Sequence, residues 1–436
     1  MTRPRTPNRA LRLLLTEVQW TEDQLAKRVN RVAGESGRTL ALDRRSVWHW
    51  LAGRRPRSPV PELIAEVLSR ELGRPISLDD LGLADRRPEP EDGAGRRQVL
   101  TSAVYSLSLL AVPSWNQAVA HEPDSELVPD SPGRLSRDHL TAAERMAEVF
   151  SAADLAFGGG HARHALAAYL SQDLLPRLRL RAPFALRRRG QSAAAQLMYL
   201  CGFMCFDDEQ HGQAQAYYRA ALELTAEAGD RRAYAVVLRA MSVQARALGH
   251  HRQAVHLAEA AISTDQKRAE PVRQAFLLGQ MAVASAADGS KDQALSTLRQ
   301  AERLLDQAGS GTDLLIGGYH PAALAHQQAA VRALLGDRRG AITDLTASVR
   351  HRPVTERRPR AITLARLAEL HLGQGHLERA VTTWDAFIDD YPHLRSGRAT
   401  SALRTMRQSL KPYSRNPAVK HLLTRAAREV GSLASV

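Results

Sequence analysis

The chain is poor in the residues that staple or anchor a protein. It has two cysteines in 436 residues, Cys201 and Cys205, so neither a disulfide framework nor a four-thiolate zinc site can be built from it. That count suits a reducing compartment. No apolar run approaches the roughly 20 residues that span a bilayer, so no membrane partner is expected. Catalytic signatures are missing as well: there is no H-E-x-x-H and no G-x-S-x-G. The glycine clusters GGG (158–160) and GSGT (309–312) lack the lysine of a phosphate loop. His161 with His164, and His250 with His251, fall in expected inter-helix turns without carboxylates at ligand spacing, so they read as polar turn residues. Cys201 and Cys205, four apart on a helix, share one buried face. No catalytic residue, metal or cofactor is expected, and the chain is not read as an enzyme.

What is abundant is arginine. Lysine is confined to Lys27, Lys267, Lys291, Lys411 and Lys420, yet the formal net charge is +14. Such an excess favours an anionic partner. It is densest at 43–59, DRRSVWHWLAGRRPRSP, where five arginines and a histidine face one acid, Asp43. Arg96-Arg97 before the apolar stretch VLTSAVYSLSLLAV (99–112) imitates a twin-arginine export signal. Its place almost a hundred residues in, after what reads as a folded domain, argues for a buried helix joining two domains.

Three regions separate. Residues 1–83 are compact, basic and helical in pattern. Residues 84–140 hold two polar connectors around the apolar helix expected at 99–112. Residues 141–392 are alanine-rich and periodic, and 393–436 read as helices that cap the last repeat. In the periodic region, GHARHA (160–165), EQHGQA (209–214), GHHRQA (249–254), GSKDQA (289–294), GDRRGA (336–341) and GHLERA (375–380) end on alanines spaced 49, 40, 40, 47 and 39 residues apart. Twelve residues before them stand Ala153, Gly202, Ser242, Ala282, Ala329 and Ala368, all small, as close helix crossings require. Four residues after them stand Tyr169, Tyr218, Ala258, Leu298, Leu345 and Trp384, mostly large and apolar. The pattern predicts antiparallel helix pairs stacked into a solenoid.

The region 141–392 thus resembles the tetratricopeptide repeat, in a degenerate form with repeats longer than the usual 34 residues. The resemblance implies a groove lined by the first helix of each pair. The register nominates Tyr199, Phe203, Arg239, Arg246, His326 and Glu369 as its lining, for a peptide or protein effector. Arg239 and Arg246 are seven apart, share a helix face and suit a carboxylate.

In the first region, Thr21-Glu22-Asp23-Gln24 is a capping box that opens a second helix. Asp43 is the expected N-cap of a third, with Val47, Trp50 and Leu51 inward and Arg44, Arg45, Trp48 and His49 outward. TEDQLAKRV, DRRSVWHWLAGRRPR and LIAEVLSREL resemble the Cro/CI-like, or XRE-type, helix-turn-helix, and the whole layout resembles a group of actinobacterial regulators with tetratricopeptide-like repeats. That resemblance implies base contacts by Arg44, Arg45, Ser46 and His49, and backbone contacts by Thr21 and Gln24. Arg54, Arg55 and Arg57, just after the third helix, could track the phosphates. One feature departs from the family: thirteen residues lie between Val29 and Asp43 where a turn of three or four is usual. Either the second helix is extended or a loop is inserted.

The expected molecule is all-α, with a helix-turn-helix head, a linker helix and a tetratricopeptide-like α-solenoid. It is expected to be a cytoplasmic, nucleoid-associated transcriptional regulator. It would bind double-stranded DNA as a homodimer, because such heads read two half-sites. The alternative is a repeat scaffold for protein interaction with a non-specific basic head.

Overall fold

A computed structural model describes residues 7–35, 39–72, 76, 78, 80–83, 105–110, 112–120, 135–265, 270–307 and 318–433. The protein is all-α, and every regular element among the described residues is a helix. The GSGT stretch at 309–312 lies outside them.

The head is built from α1 (Arg9–Glu17), α2 (Glu22–Glu35), α3 (Arg44–Leu51) and α4 (Val60–Leu72). Their apolar stripes meet in one core around Leu11, Leu25, Val29, Val47, Trp50, Leu63 and Ile64. Both expected caps form. The Thr21 N–H donates to Gln24 Oε1 (2.9 Å) while the Gln24 N–H donates to Thr21 Oγ1 (3.3 Å). Asp43 accepts from the Ser46 N–H (2.8 Å) and Ser46 Oγ accepts from the Asp43 N–H (3.4 Å). The long span before α3 has a double explanation. α2 runs on to Glu35, and the loop after it is tied back by Asn30, whose side chain donates to the Leu42 carbonyl and accepts from the Leu42 N–H.

The linker differs from expectation. Residues 99–104 are outside the described residues, and 105–110 and 112 do not form an α-helix. Leu107–Leu110 make a single 3-10 turn, and among the described residues between 105 and 120 the α-helical ones are those of α5 (Trp115–Ala120). The physical reason is that side chains of other elements capture this backbone. The Leu107 N–H donates to Glu66 Oε2 (2.7 Å), Ser106 exchanges two hydrogen bonds of 2.8 Å with the Gln215 amide, and the Tyr234 hydroxyl donates to the Pro113 carbonyl (2.7 Å). With its polar groups satisfied from outside, the strap needs no helical ladder of its own.

The repeat region is a stack of helix pairs: α6 (Arg137–Phe157) with α7 (Gly159–Tyr169), α8 (Phe184–Asp207) with α9 (His211–Ala228), and α10 (Arg231–Ala247) with α11 (His251–Asp265). Then come α12 (Pro271–Ala287) with α13 (Lys291–Gln307), α14 (Pro321–Leu334) with α15 (Arg338–His351), and α16 (Arg357–Gly373) with α17 (Leu377–Asp390). α18 (Gly397–Leu410) and α19 (Pro417–Leu433) continue the stack by packing on α16 and α17. In five pairs the signature alanine, Ala214, Ala254, Ala294, Ala341 or Ala380, is fully buried where the helices cross. Gly249, Gly289, Gly336 and Gly375 take φ between +79° and +89° in the turns, a conformation that costs a side chain strain.

The first pair corrects the sequence register. Ala165 is exposed and Ala153 only half-buried. In the other five pairs the second helix starts three residues before its alanine. Counted the same way from Gly159, the equivalent is Ala162, which is buried. The GGG cluster explains the slip. A Cβ on Gly159 would lie 2.2 Å from the Met204 carbonyl oxygen, so α7 and α8 touch through backbone at that point. It is a packing motif.

Candidate functional site

The solenoid closes on itself. α6 packs against α16, and Arg395, just before α18, exchanges backbone hydrogen bonds with the first pair: its N–H donates to the Phe157 carbonyl (2.7 Å) and its carbonyl accepts from Gly160 (2.8 Å). At the seam, Arg358 of α16 donates to the Asp154 carboxylate (2.7 Å) and backbone carbonyl (3.1 Å), across 204 residues of sequence. Asp207 stands 3.6 Å from the same guanidinium and 4.0 Å from that of Arg398. Burial raises the Asp154 carboxyl to about 6, against the pull of Arg358 and with the help of Asp207. Burial opposes the Arg358 charge too, yet the two carboxylates carry it above its ordinary value.

Inside the ring lies a half-open chamber of about 300 Å³, walled mainly by the first helices of the pairs. Five of the six groove residues predicted from the register line it: Tyr199, Phe203, Arg239, Arg246 and His326. Glu369 does not. It lies seven residues beyond Ile362, the last but one wall residue of α16, so it sits about 10 Å farther along the helix. There it pairs with Arg366 at 3.9 Å, and burial holds its carboxyl above the usual range.

The wall is strongly cationic. Five arginines, Arg239, Arg246, Arg352, Arg358 and Arg398, line it against two acids, Asp154 and Glu356. Most of these charges are spoken for. Glu356 accepts from Arg352 (2.7 Å) and lies 2.9 Å from His320 Nε2. Arg239 donates to the Phe276 carbonyl (3.1 Å) and stacks 3.6 Å over the Phe276 ring. Burial lowers the His326 imidazole to about 3, assisted by Arg352 and Arg366, so it is neutral. Its Nδ1 lies 3.1 Å from Thr363 Oγ1. Arg246 is different: its Nε, like that of Arg352, is buried with no hydrogen-bond partner, but unlike Arg352 it has no carboxylate within ion-pairing distance among the described residues, and burial, then Arg366 and Arg398, lowers its guanidinium to about 10. An apolar side of the chamber, with Tyr199, Phe203 and Phe276, faces these cations.

In the head, Arg44, Arg45 and Trp48 are exposed on α3, and His49, half-buried, meets Trp48 edge-on at 5.0 Å. Arg54, Arg55 and Arg57 are exposed just beyond that helix. The patch is therefore continuous and solvent-facing. Part of the predicted contact set is already engaged: Ser46, Thr21 and Gln24 serve the two caps, and Arg44 pairs with Glu22 at 3.1 Å. Where head and ring meet, the fully buried Glu66 holds Arg70 (2.6 Å) and the Leu107 N–H, with His250 Nε2 3.6 Å away. Tyr105 stacks on the His250 ring at 5.7 Å. His250 lies in the expected inter-helix turn but is buried there. It belongs to the joint between head, strap and ring, and only its neighbours in space reveal that.

Among the described residues no group of histidine, cysteine and carboxylates could hold a metal, and no helix is long and apolar enough to cross a membrane.

Residues 11–84 match the family described as the SP15 N-terminal domain. No curated protein matches the chain. Among solved structures, it is similar to a Rap protein complexed with competence and sporulation factor (13% identity, 68% of this chain, 98% of that one, TM-score 0.42). It is also similar to the human IFIT1 dimer with m7Gppp-AAAA (13%, 68% and 66%, 0.37) and to BtubC from P. vanneervenii (12%, 62% and 91%, 0.33). At such identities and scores the likeness carries no argument about ligand or partner.

Proposed function

We propose that the chain is a helical-repeat binding protein whose ring takes an effector into its central chamber, with the head as the part that effector binding controls. One observation supports this above the others. The repeats close into a ring, and five of six residues nominated by register alone converge on the space inside it. A stack that served only as a spacer would have no need to build an aromatic and cationic interior. The chamber's size lies at the lower end of the range for small-molecule sites, so it suits a metabolite-sized molecule or the end of a peptide better than a long segment. The work of such a protein is binding, not catalysis. The test is Ala323→Trp, which fills the chamber from α14. A ligand-binding ring loses its response to ligand while circular dichroism stays unchanged. An unchanged response removes the chamber from the function.

A second reading concerns the head. The exposed Arg44, Arg45, Arg54, Arg55 and Arg57, with half-buried His49 among them, favour double-stranded DNA as the head's partner, with Arg44 and Arg45 toward base edges and the later arginines along phosphates. A homodimer would then present two heads to two half-sites. Selection of genomic fragments on the full chain at about 150 mM salt, where non-specific contacts are screened, tests this. An enriched motif with paired half-sites supports sequence-specific regulation. Binding without enrichment leaves the protein an interaction scaffold with a non-specific basic head.

A further inference from the structure

The chamber's arginines divide by what they touch, and the division identifies a seat. Arg358 is held by Asp154, Arg352 by Glu356, and Arg239 by the Phe276 carbonyl and ring. Arg246 has no carboxylate within ion-pairing distance among the described residues, and its buried Nε donates to nothing. Arg398 lies 5.3 Å over the Phe206 ring, and the one carboxylate it pairs with among the described residues is Asp207, at 4.0 Å, which it shares with Arg358. Arg246, Arg398 and Arg366, which lies on α16 beyond the lining residues, are close enough to repel one another and to disfavour a further positive charge on His326. A folded chain gains nothing by gathering like charges and leaving a buried donor unpaired. Both features cost stability, and a bound anion would reverse both.

We infer that the Arg246–Arg398 side of the chamber is the seat of a small organic anion, a carboxylate or a phosphomonoester, whose apolar or planar remainder lies against Tyr199 and Phe203. Arginine is the suited residue, because its planar fork meets either oxyanion with two parallel hydrogen bonds. His326, neutral and fixed near Thr363, adds a polar contact beside the seat without adding charge. The inference rests on the reading of the ring as a receptor and names the class of its ligand.

The experiment uses the full chain and matched probes: adenosine 5′-monophosphate against adenosine, N-acetylphenylalanine against its amide, and inorganic pyrophosphate. Calorimetric titration and melting temperature are the readouts. The expected result is binding of at least one anionic member and of neither neutral one, and which pair responds tells phosphate from carboxylate. Arg246→Met and Arg398→Met should each weaken that binding at least tenfold, Arg246→Lys less, and the exposed Arg415→Met not at all. In the absence of ligand Arg246→Met should melt at or above the wild-type temperature, because it removes a charge that no carboxylate compensates. An arginine with a purely structural role predicts a lower melting temperature, and that outcome overturns the inference. So does an equal response of wild type and Arg246→Met to all three anions. If the neutral members bind and Ala323→Trp abolishes it, the ring remains a receptor and only the anionic class falls. If no probe binds more tightly to the wild type than to Ala323→Trp, the anion seat falls together with the receptor reading.

Discussion

The head and the ring are made of the same kinds of residue and use arginine in opposite ways. In the head, Arg44, Arg45, Arg54, Arg55 and Arg57 point to solvent, over a core that contains no arginine. In the ring, Arg358 and Arg273 are buried as deeply as leucines, and Arg273 is held by Asp265 at 2.5 Å. Exposed charge costs little and contributes little to stability. Buried charge must be paired, and breaking a pair is expensive. The head can therefore change these exposed charges without unfolding, whereas the ring cannot lose one partner of its buried pairs without cost. That leaves Arg246, half-buried and with no carboxylate partner among the described residues, as the exception.

The sharpest way to break this contrast is at the ring seam. Asp154→Ala should cost about 3 kcal/mol in chemical denaturation, because it strips Arg358 of its nearest carboxylate. The closed ring should also open, which small-angle scattering would register as a larger radius. A cost under 1 kcal/mol would mean that Asp207 alone can hold the seam. The same acid has a pH signature. Its folded value of about 6 is above the roughly 3.9 of a free aspartate, so folding takes up a proton between them. The stability this contributes is complete below about pH 4 and lost as pH rises through about 6. Wild type should therefore lose stability relative to Asp154→Asn across that interval. A flat difference would contradict the assignment.

Next in size comes the joint. Glu66→Ala leaves Arg70 and the Leu107 N–H without their buried acceptor, and about 2 kcal/mol should be lost. Hydrogen exchange should rise at Ser106–Leu110 and in α4, while α12 to α17 stay protected. Uniform protection would show that the strap is held without Glu66. Within the head, Asp43→Ala should cost about 1 kcal/mol by loss of the α3 cap. A neutral result would mean that the Ser46 hydroxyl is not positioned by this cap. Smallest of all, Arg45→Ala should alter stability by less than about 0.5 kcal/mol. Any larger loss would give it a structural role and weaken its candidacy for partner contact.

Much of the fold was legible in the sequence because its signals are local. The capping boxes at Thr21 and Asp43, the split between Trp48 and Trp50 and five buried alanines at the pair crossings all depend on residues within one or two turns of each other. Where the reading failed, the deciding atoms were remote. The repeat pattern points to Ala165, whereas Ala162 takes the buried place, because the close approach of Gly159 to Met204 has no sequence signature beyond a run of glycines. The 99–112 helix is expected from apolarity, but Glu66 and Gln215 claim the backbone of Leu107 and Ser106. Tyr199, Phe203, Arg239, Arg246 and His326 were found by register, whereas Asp154, Arg352, Arg358 and Arg398 were missed.

By itself the sequence determined where helices start and stop, how they pair, and which face of each first helix looks inward, since periodicity and caps act over a few residues. Tertiary structure alone decided that the solenoid closes, that Asp154 meets Arg358 across 204 residues, and that Arg246 is left with a buried, unanswered donor. The reason is physical. Whether a charge is paired depends on which groups lie within a few ångströms in a poorly screened interior, and no local pattern in the chain encodes that distance.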